Sequence, residues 1–497
     1  MKNFLLLAAF ILLAFSSQAQ DTLVRKITLN ELSNWNGSHL KNNKGQQAYN
    51  DLWGFSINGG EYAVIGALDS FYFIEVTDPR HPVVRSRQAG RANFCPNRDF
   101  KVFKNYCYAV ADQGTSSLQI FDLQYLPDSV HKIYDSDTLS TRTHNLWIDT
   151  AESRLYLCSN FIQYSHTYPQ DTYFFMQVLS LTNPEVPVHL GPAGNFGAGN
   201  GNFQIVHDVH VRGDTAYCSC GTAGLFIYNF KNPIYPTLLC SLLSQENYYP
   251  DAGYNHSNWI SDDGKTMVFA DETPGKEVKV YDISAMIDSK LRFPPIYFES
   301  LFGQDYKYGS TPHNPEIVGN TTVYVSYYQD GVLVYDISNP KKPQKVAQFE
   351  TYPLIDTVAD TFERYKGFMG CWGVYPYLPS GNVIASDMAN GLFVLRLDTT
   401  MVKNGINSNN ALMPKVSVYP NPTSGIIHVN LSAQDPGNYD FELTDINGKK
   451  IWDETKPIPT GKSSFDINLS QDRLSSGLYL LKTQSGGYFE TLKVVVE

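Results

Sequence analysis

Arg98-Asp-Phe-Lys-Val-Phe-Lys-Asn-Tyr-Cys-Tyr108 and His207-Asp-Val-His-Val-Arg-Gly-Asp-Thr-Ala-Tyr217 are two copies of one unit. Each opens on a polar residue, alternates, and closes on tyrosine. A second unit follows the first along the chain: Gly224-Leu-Phe-Ile-Tyr-Asn-Phe-Lys-Asn-Pro233, Gly331-Val-Leu-Val-Tyr-Asp-Ile-Ser-Asn-Pro340, and Gly391-Leu-Phe-Val-Leu-Arg-Leu397. The pair recurs seven times between Leu52 and Leu397, at a period of roughly 45–60 residues. Alternation over so few residues is the pattern of short strands. Tandem modules of that length fold as the blades of a propeller, here one of seven blades with four antiparallel strands each.

Aligning the modules places the first-strand starts near Leu52, Arg98, His144, His207, His256, His313 and Cys371. Turn chemistry falls between the first and second strands, as in Asn58-Gly-Gly60 and Asp262-Asp-Gly264. A proline bracket separates the third and fourth strands: Asp78-Pro-Arg-His-Pro82, Asn183-Pro-Glu-Val-Pro187, Asn232-Pro-Ile-Tyr-Pro236, Asn339-Pro-Lys-Lys-Pro343. Proline there sets the turn and blocks edge pairing. The seventh module stops at Leu397 without a fourth strand, and Leu23–Leu29 alternates like one. We expect that segment to complete the last blade, since closure removes the exposed edge.

The chain of 497 residues exceeds one ordinary core, so a repeat domain plus a smaller one is expected. A net charge of −11 without a Lys/Arg cluster excludes a nucleic-acid surface. Residues 1–19 read as a signal peptide: Lys2, an apolar run from Phe4 to Phe15, and Ser17-Gln-Ala19 for cleavage. No segment approaches the roughly 20 apolar residues of a transmembrane helix. Seven cysteines match no zinc spacing and leave at least one thiol unpaired; buried thiols with one or two disulfides are expected.

If first strands line the channel, His144, His207, His256 and His313 converge on one mouth from four consecutive blades, with Arg98 and Cys371 in the same register. Asp99 and Asp208 follow by one residue, and Asp271, Glu272, Asp330 and Asp387 reach the same rim from second-to-third turns. Four imidazoles at one hub suit a divalent transition metal. Alternatively, each histidine bonds a backbone carbonyl of the neighbouring blade and closes the rim. The rim acids extend such a site toward calcium or solvate hairpin tips. Loops on that face, Gly194–Phe203, Tyr248–Tyr254 and Tyr306–Ser310, are rich in Tyr, Asn and Gly and suit a glycan or peptide. No nucleophile elbow, phosphate loop or nucleotide fingerprint is present. The residues name no reaction.

Trp53-Gly-Phe, Arg98-Asp-Phe-Lys-Val, His144-Asn-Leu-Trp-Ile, His207-Asp-Val, the Tyr-Asp-Ile-Ser-Asn-Pro runs and Trp372-Gly-Val resemble the LVIVD-repeat propellers of the choice-of-anchor B family. That resemblance implies a propeller over residues 20–399 and no settled activity. Residues 400–415 read as a linker. From 416 to 497, Tyr419-Pro-Asn-Pro-Thr-Ser-Gly425, Asp445-Ile-Asn-Gly-Lys449 and Gly477-Leu-Tyr-Leu resemble the type A C-terminal sorting domain of the type IX (Por) secretion system of Bacteroidetes. An immunoglobulin-like sandwich of about seven strands is expected there, with the type IX machinery as its partner. The combined expectation is an all-β protein, secreted or held at the outer-membrane surface. It binds a protein, peptide or glycan, or else is a metal-dependent enzyme built on the four histidines.

Overall fold

The computed structural model describes residues 22–37, 47–164, 170–194, 203–245, 249–285, 295–303, 309–352, 368–404, 415–433, 436–446, 448–469, 474–485 and 488–497. Residues 1–19, read as a signal peptide, most of the segment read as a linker and most of the Gly194–Phe203 and Tyr306–Ser310 loops lie outside them. Lys26–Thr400 forms one compact unit, and Met401–Glu497 belongs to a second.

In the first unit the strands pair as seven four-stranded antiparallel sheets among the described residues. The first strands are Tyr49–Ile57, Arg98–Phe103, Asn145–Asp149, Asp208–Arg212, Asn255–Ile260, Asn314–Val318 and Cys371–Tyr375. Six of these starts lie within one residue of the expected positions. The first begins earlier than expected, because an irregularity between Tyr49 and Leu52 adds residues that the alternation hides. Each first strand touches the next, and Cys371–Tyr375 touches Tyr49–Ile57, so the series closes on itself in a propeller-like ring. Strand Thr22–Trp35 pairs along Gly391–Asn404 and completes the last sheet. The latter strand runs past the expected stop at Leu397 into the segment read as linker, where Asp398 accepts from Asn30 and Thr400 donates to the Lys26 carbonyl.

The repeated sequence features have repeated causes. In the proline brackets, Asp78, Asn183, Asn232 and Asn339 accept through Oδ1 from the backbone N–H two residues on, closing Asx turns. The glycine opening the third strand recurs because only glycine fits. Gly224, Gly331 and Gly391 have φ of +106°, +77° and +84°, and a β-carbon would meet the outer strand's carbonyl at Leu242, Phe349 or Trp35. The core lies between the sheets; Val268, Val280, Val323, Val325 and Leu333, for instance, are fully buried between two neighbours. All seven cysteines are free, six of them buried, so the expected disulfides are not formed. Among the described residues no helix is long and apolar enough to cross a membrane.

The second unit pairs Lys415–Tyr419, Ile426–Ala433 and Gly461–Asn468 in one sheet. Lys450–Ile458, Gly437–Asp445, Gly477–Ser485 and Tyr488–Val496 form the other. Ile427, Val429, Phe441, Leu443, Leu481 and Val494 fill one core between them. The Tyr419–Gly425 motif fastens the last strand: Asn421 donates to the Lys493 carbonyl and accepts from Val495 N–H, and Thr423 N–H donates to the Val495 carbonyl.

Candidate functional site

The channel has three layers, because residues one and three along a first strand share a face. At the strand starts the four histidines form an arc. His144 and His207 have ring centroids 4.1 Å apart; His207–His256 and His256–His313 are each 4.3 Å. Nδ1 of His207, His256 and His313 bonds the carbonyl of His256, His313 and Trp372 respectively, each on the next sheet. His144 Nδ1 instead meets Asp112 Oδ2 at 2.9 Å. This carbonyl bond, made by three of the four, is the contact a rim-closing role requires. It also fixes the tautomer: a carbonyl only accepts, so Nδ1 carries the proton and Nε2 is left as a lone pair. Burial and neighbouring imidazoles hold His207 and His256 well below the usual histidine range, and burial pushes His313 to about 3. Burial opposes the charge of His144 too, but the Asp112 carboxylate raises it overall.

The other rim candidates divide. Glu272 reaches the histidines: its Oε2 lies 3.7 Å from His256 Nε2 and its Oε1 4.0 Å from His313 Nε2. Tyr328 donates its hydroxyl to Oε1, and burial lifts the carboxyl to about 7. The rest are internal. Arg98 donates to the carbonyls of Ala67, Leu68 and Ala92. Asp271 pairs with Lys279 at 2.9 Å, both fully buried. Asp330 accepts from Ser310, and Asp387 from Thr351 and two backbone N–H groups. The buried Cys371 thiol points at the Gly373 carbonyl, and burial raises it far above the usual thiol range. In the rim loops, Tyr249 and Phe203 turn inward into the core, while Tyr254 packs edge-on to His207.

The middle layer is acidic and narrow, a cavity of about 50 Å³ lined by Asp51, Asp99, Asp208 and Glu316 among others. Lys101 answers them, with Nζ 2.9 Å from Asp99 Oδ1. Asp99 also accepts from Leu146 N–H of the next sheet. Burial pushes Asp208 up to about 7 and raises Asp51 and Glu316 well above the carboxylate range. Glu316 Oε2 and the Oδ1 atoms of Asn145 and Asn258 are buried without a hydrogen-bond partner.

The far mouth is aromatic. Trp53, Trp147, Trp259, Tyr375 and Tyr377 line a cup of about 440 Å³, with Asp149, Thr150 and Arg212 at its edge. Its rings brace one another: Trp147–Trp259 at 5.6 Å, Trp259–Tyr377 stacked at 5.7 Å, Trp53–Tyr375 at 4.9 Å. Lys101 Nζ lies 4.4 Å from the Trp53 ring centre. Trp147 and Tyr377 each donate to a carbonyl of another sheet, at Val211 and Ile317. The sequence reading missed this cup. Its signal was the third position after the module start, which reads Lys101, Trp147, His210, Trp259 and Glu316, with Trp53 and Tyr375 displaced by irregularities between Tyr49 and Leu52 and between Cys371 and Gly373.

Residues 417–497 match the family model Por_Secre_tail, the secretion system C-terminal sorting domain. That tail implies export through the type IX machinery and attachment at the cell surface. No curated protein sequence matches the chain. Among solved structures, it is similar to the β-propeller domain of Cps50 (Swd1) from Myceliophteria thermophila, at 10% identity over 74% of this chain and 100% of that one, TM-score 0.48. It is also similar to the periplasmic gluconolactonase PpgL of Pseudomonas aeruginosa, at 10% identity over 85% and 99%, TM-score 0.45. A functionally unknown protein from Desulfotomaculum acetoxidans shares 15% identity over 60% and 85%, TM-score 0.38. None of these chains lends a residue or an activity to this one.

Proposed function

We propose that this protein is an exported binding module: a seven-bladed propeller of the choice-of-anchor B type, delivered by an immunoglobulin-like type A sorting domain, that receives an extracellular ligand at its aromatic mouth. The supporting observation is the cup of five mutually braced aromatic rings. Its volume is in the range of small-ligand sites, and a few polar groups at its edge would orient what enters. Rings held by their neighbours and by carbonyls of other sheets lose little further freedom when a ligand stacks on them. A glycan fits best, because the flat faces of sugar rings stack on indole while Asp149, Thr150 and Arg212 meet hydroxyls; a peptide with an aromatic side chain is the other occupant to test.

The experiment is a glycan array and an aromatic-peptide array probed with the full-length chain. Tryptophan-fluorescence titration of the hits follows. Binding that quenches fluorescence and weakens about tenfold or more in Trp259→Ala, on the scale of one lost aromatic anchor, supports the reading. Binding unaltered by Trp259→Ala and Trp147→Ala moves the ligand elsewhere.

A further inference from the structure

At the opposite mouth, we propose that His256, His313 and Glu272 hold a divalent first-row transition metal ion of the zinc class. Among the described residues these three side chains bring their potential ligand atoms within 4.8 Å of one another. The inference is independent of the aromatic cup and of any ligand bound there.

Three features of the geometry carry it. First, both imidazoles present Nε2 lone pairs, because each Nδ1–H is committed to a carbonyl, of His313 and of Trp372. A histidine whose distal nitrogen donates to a carbonyl is oriented in the way metal-binding histidines are. Second, the lone pairs face a carboxylate at 3.7 and 4.0 Å, too far for any hydrogen bond between them. Acceptors confront acceptors with a gap that a cation fills. Donors about 2.0–2.2 Å from one tetrahedral ion lie about 3.3–3.6 Å apart, so the three side chains, whose ligand atoms lie within 4.8 Å of one another, close in on the ion by up to about 1 Å. Third, the carboxylate is itself held: the buried Tyr328 hydroxyl donates to Oε1, and the Tyr328 ring packs 5.0 Å from that of His313. Two nitrogens and one carboxylate favour zinc, iron, nickel or copper over calcium, which takes six to eight oxygens. Three protein donors leave a position open toward the rim, where Glu272 is the most exposed of the three.

The four-histidine set expected from the sequence is thereby redrawn. His144 is engaged by Asp112, and His207 packs beside His256 as its neighbour in the arc. Glu272 takes the place of both.

The test uses tag-free full-length protein, stripped with a chelator and titrated with Co²⁺, then Zn²⁺. The expected result is one equivalent of Co²⁺ with visible d–d absorption, displaced by Zn²⁺. Glu272→Gln and His256→Asn should each weaken binding tenfold or more, and Tyr328→Phe on the order of tenfold. The exposed His131→Asn should bind as the parent does. A folded parent that takes up no stoichiometric Co²⁺ overturns the proposal. So does binding that Glu272→Gln leaves unchanged; that variant decides the matter if His256→Asn fails to fold, since its amide oxygen still accepts from the Tyr328 hydroxyl.

Discussion

Replacing Gly331 by alanine isolates what the module's recurring glycine does. Gly331 and Gly381 share a backbone conformation, φ +77° and +76°, but differ in surroundings. Around Gly381 a β-carbon meets nothing within 4 Å; at Gly331 it would lie 2.1 Å from the Phe349 carbonyl oxygen and 2.8 Å from Thr351 N. The left-handed conformation costs alanine about 1–2 kcal/mol at either site. Part of that is offset by the stiffer unfolded chain, by about 0.4–1 kcal/mol. At Gly331 the outer strand must also move, adding about 1–3 kcal/mol by analogy with overpacked cores. Gly381→Ala should therefore cost about 1 kcal/mol and Gly331→Ala about 2–4 kcal/mol. Denaturant unfolding followed by tryptophan fluorescence reads both, since Trp35, Trp53, Trp147, Trp259 and Trp372 all lie in the first unit. If the two variants lose equal stability with unchanged m-values, the close approach of the outer strand is not what demands glycine.

Asp208 supplies a pH test. Its carboxyl is raised to about 7 by burial, against about 3.9 unfolded, so the native state holds the extra proton between those values. Stability should fall as pH rises from about 4 to 7 and level off above. Because Glu272, Asp51 and Glu316 are raised too, Asp208→Asn should flatten that slope without abolishing it and gain about 2 kcal/mol at pH 8, after allowance for water in the channel; an unchanged slope in a pH series of unfolding curves rejects the assignment. Thiol chemistry checks the packing: six cysteines are buried and burial lifts Cys240 to about 11, so a disulfide-exchange reagent at pH 7.5 should label the native chain slowly. Fast labelling of two or more thiols before unfolding would contradict the closed core.

Local chemistry made much of this fold legible. Gly331 and the Asn339–Pro343 bracket are dictated by short-range constraints, so they recur wherever the same turn recurs. Strand Thr22–Trp35 was legible by subtraction, since the seventh module lacked an outer strand. The sites were harder. The histidine register could be read because one residue type repeats, and Glu272 could be placed at the same rim, but nothing in the sequence singles it out from Asp271, Asp330 and Asp387; ring curvature brings its hairpin tip between two neighbouring strands. The aromatic cup was hidden by the opposite problem. Its register position is filled by tryptophan, lysine, histidine, glutamate and tyrosine in turn, so no single residue type signals it. Irregularities after Tyr49 and Cys371 shift two of the seven modules out of alignment.

The pairing of Thr22–Trp35 with Gly391–Asn404 bears on the order of events during synthesis. Asn30 finds Asp398, 368 residues away, only once the final module exists. Until then the circle has a seam: one edge waits at the beginning of the chain and the other has not been made. A polypeptide in that condition lacks its last cooperative contacts. The latch thus delays locking of the wheel until its whole length has been produced.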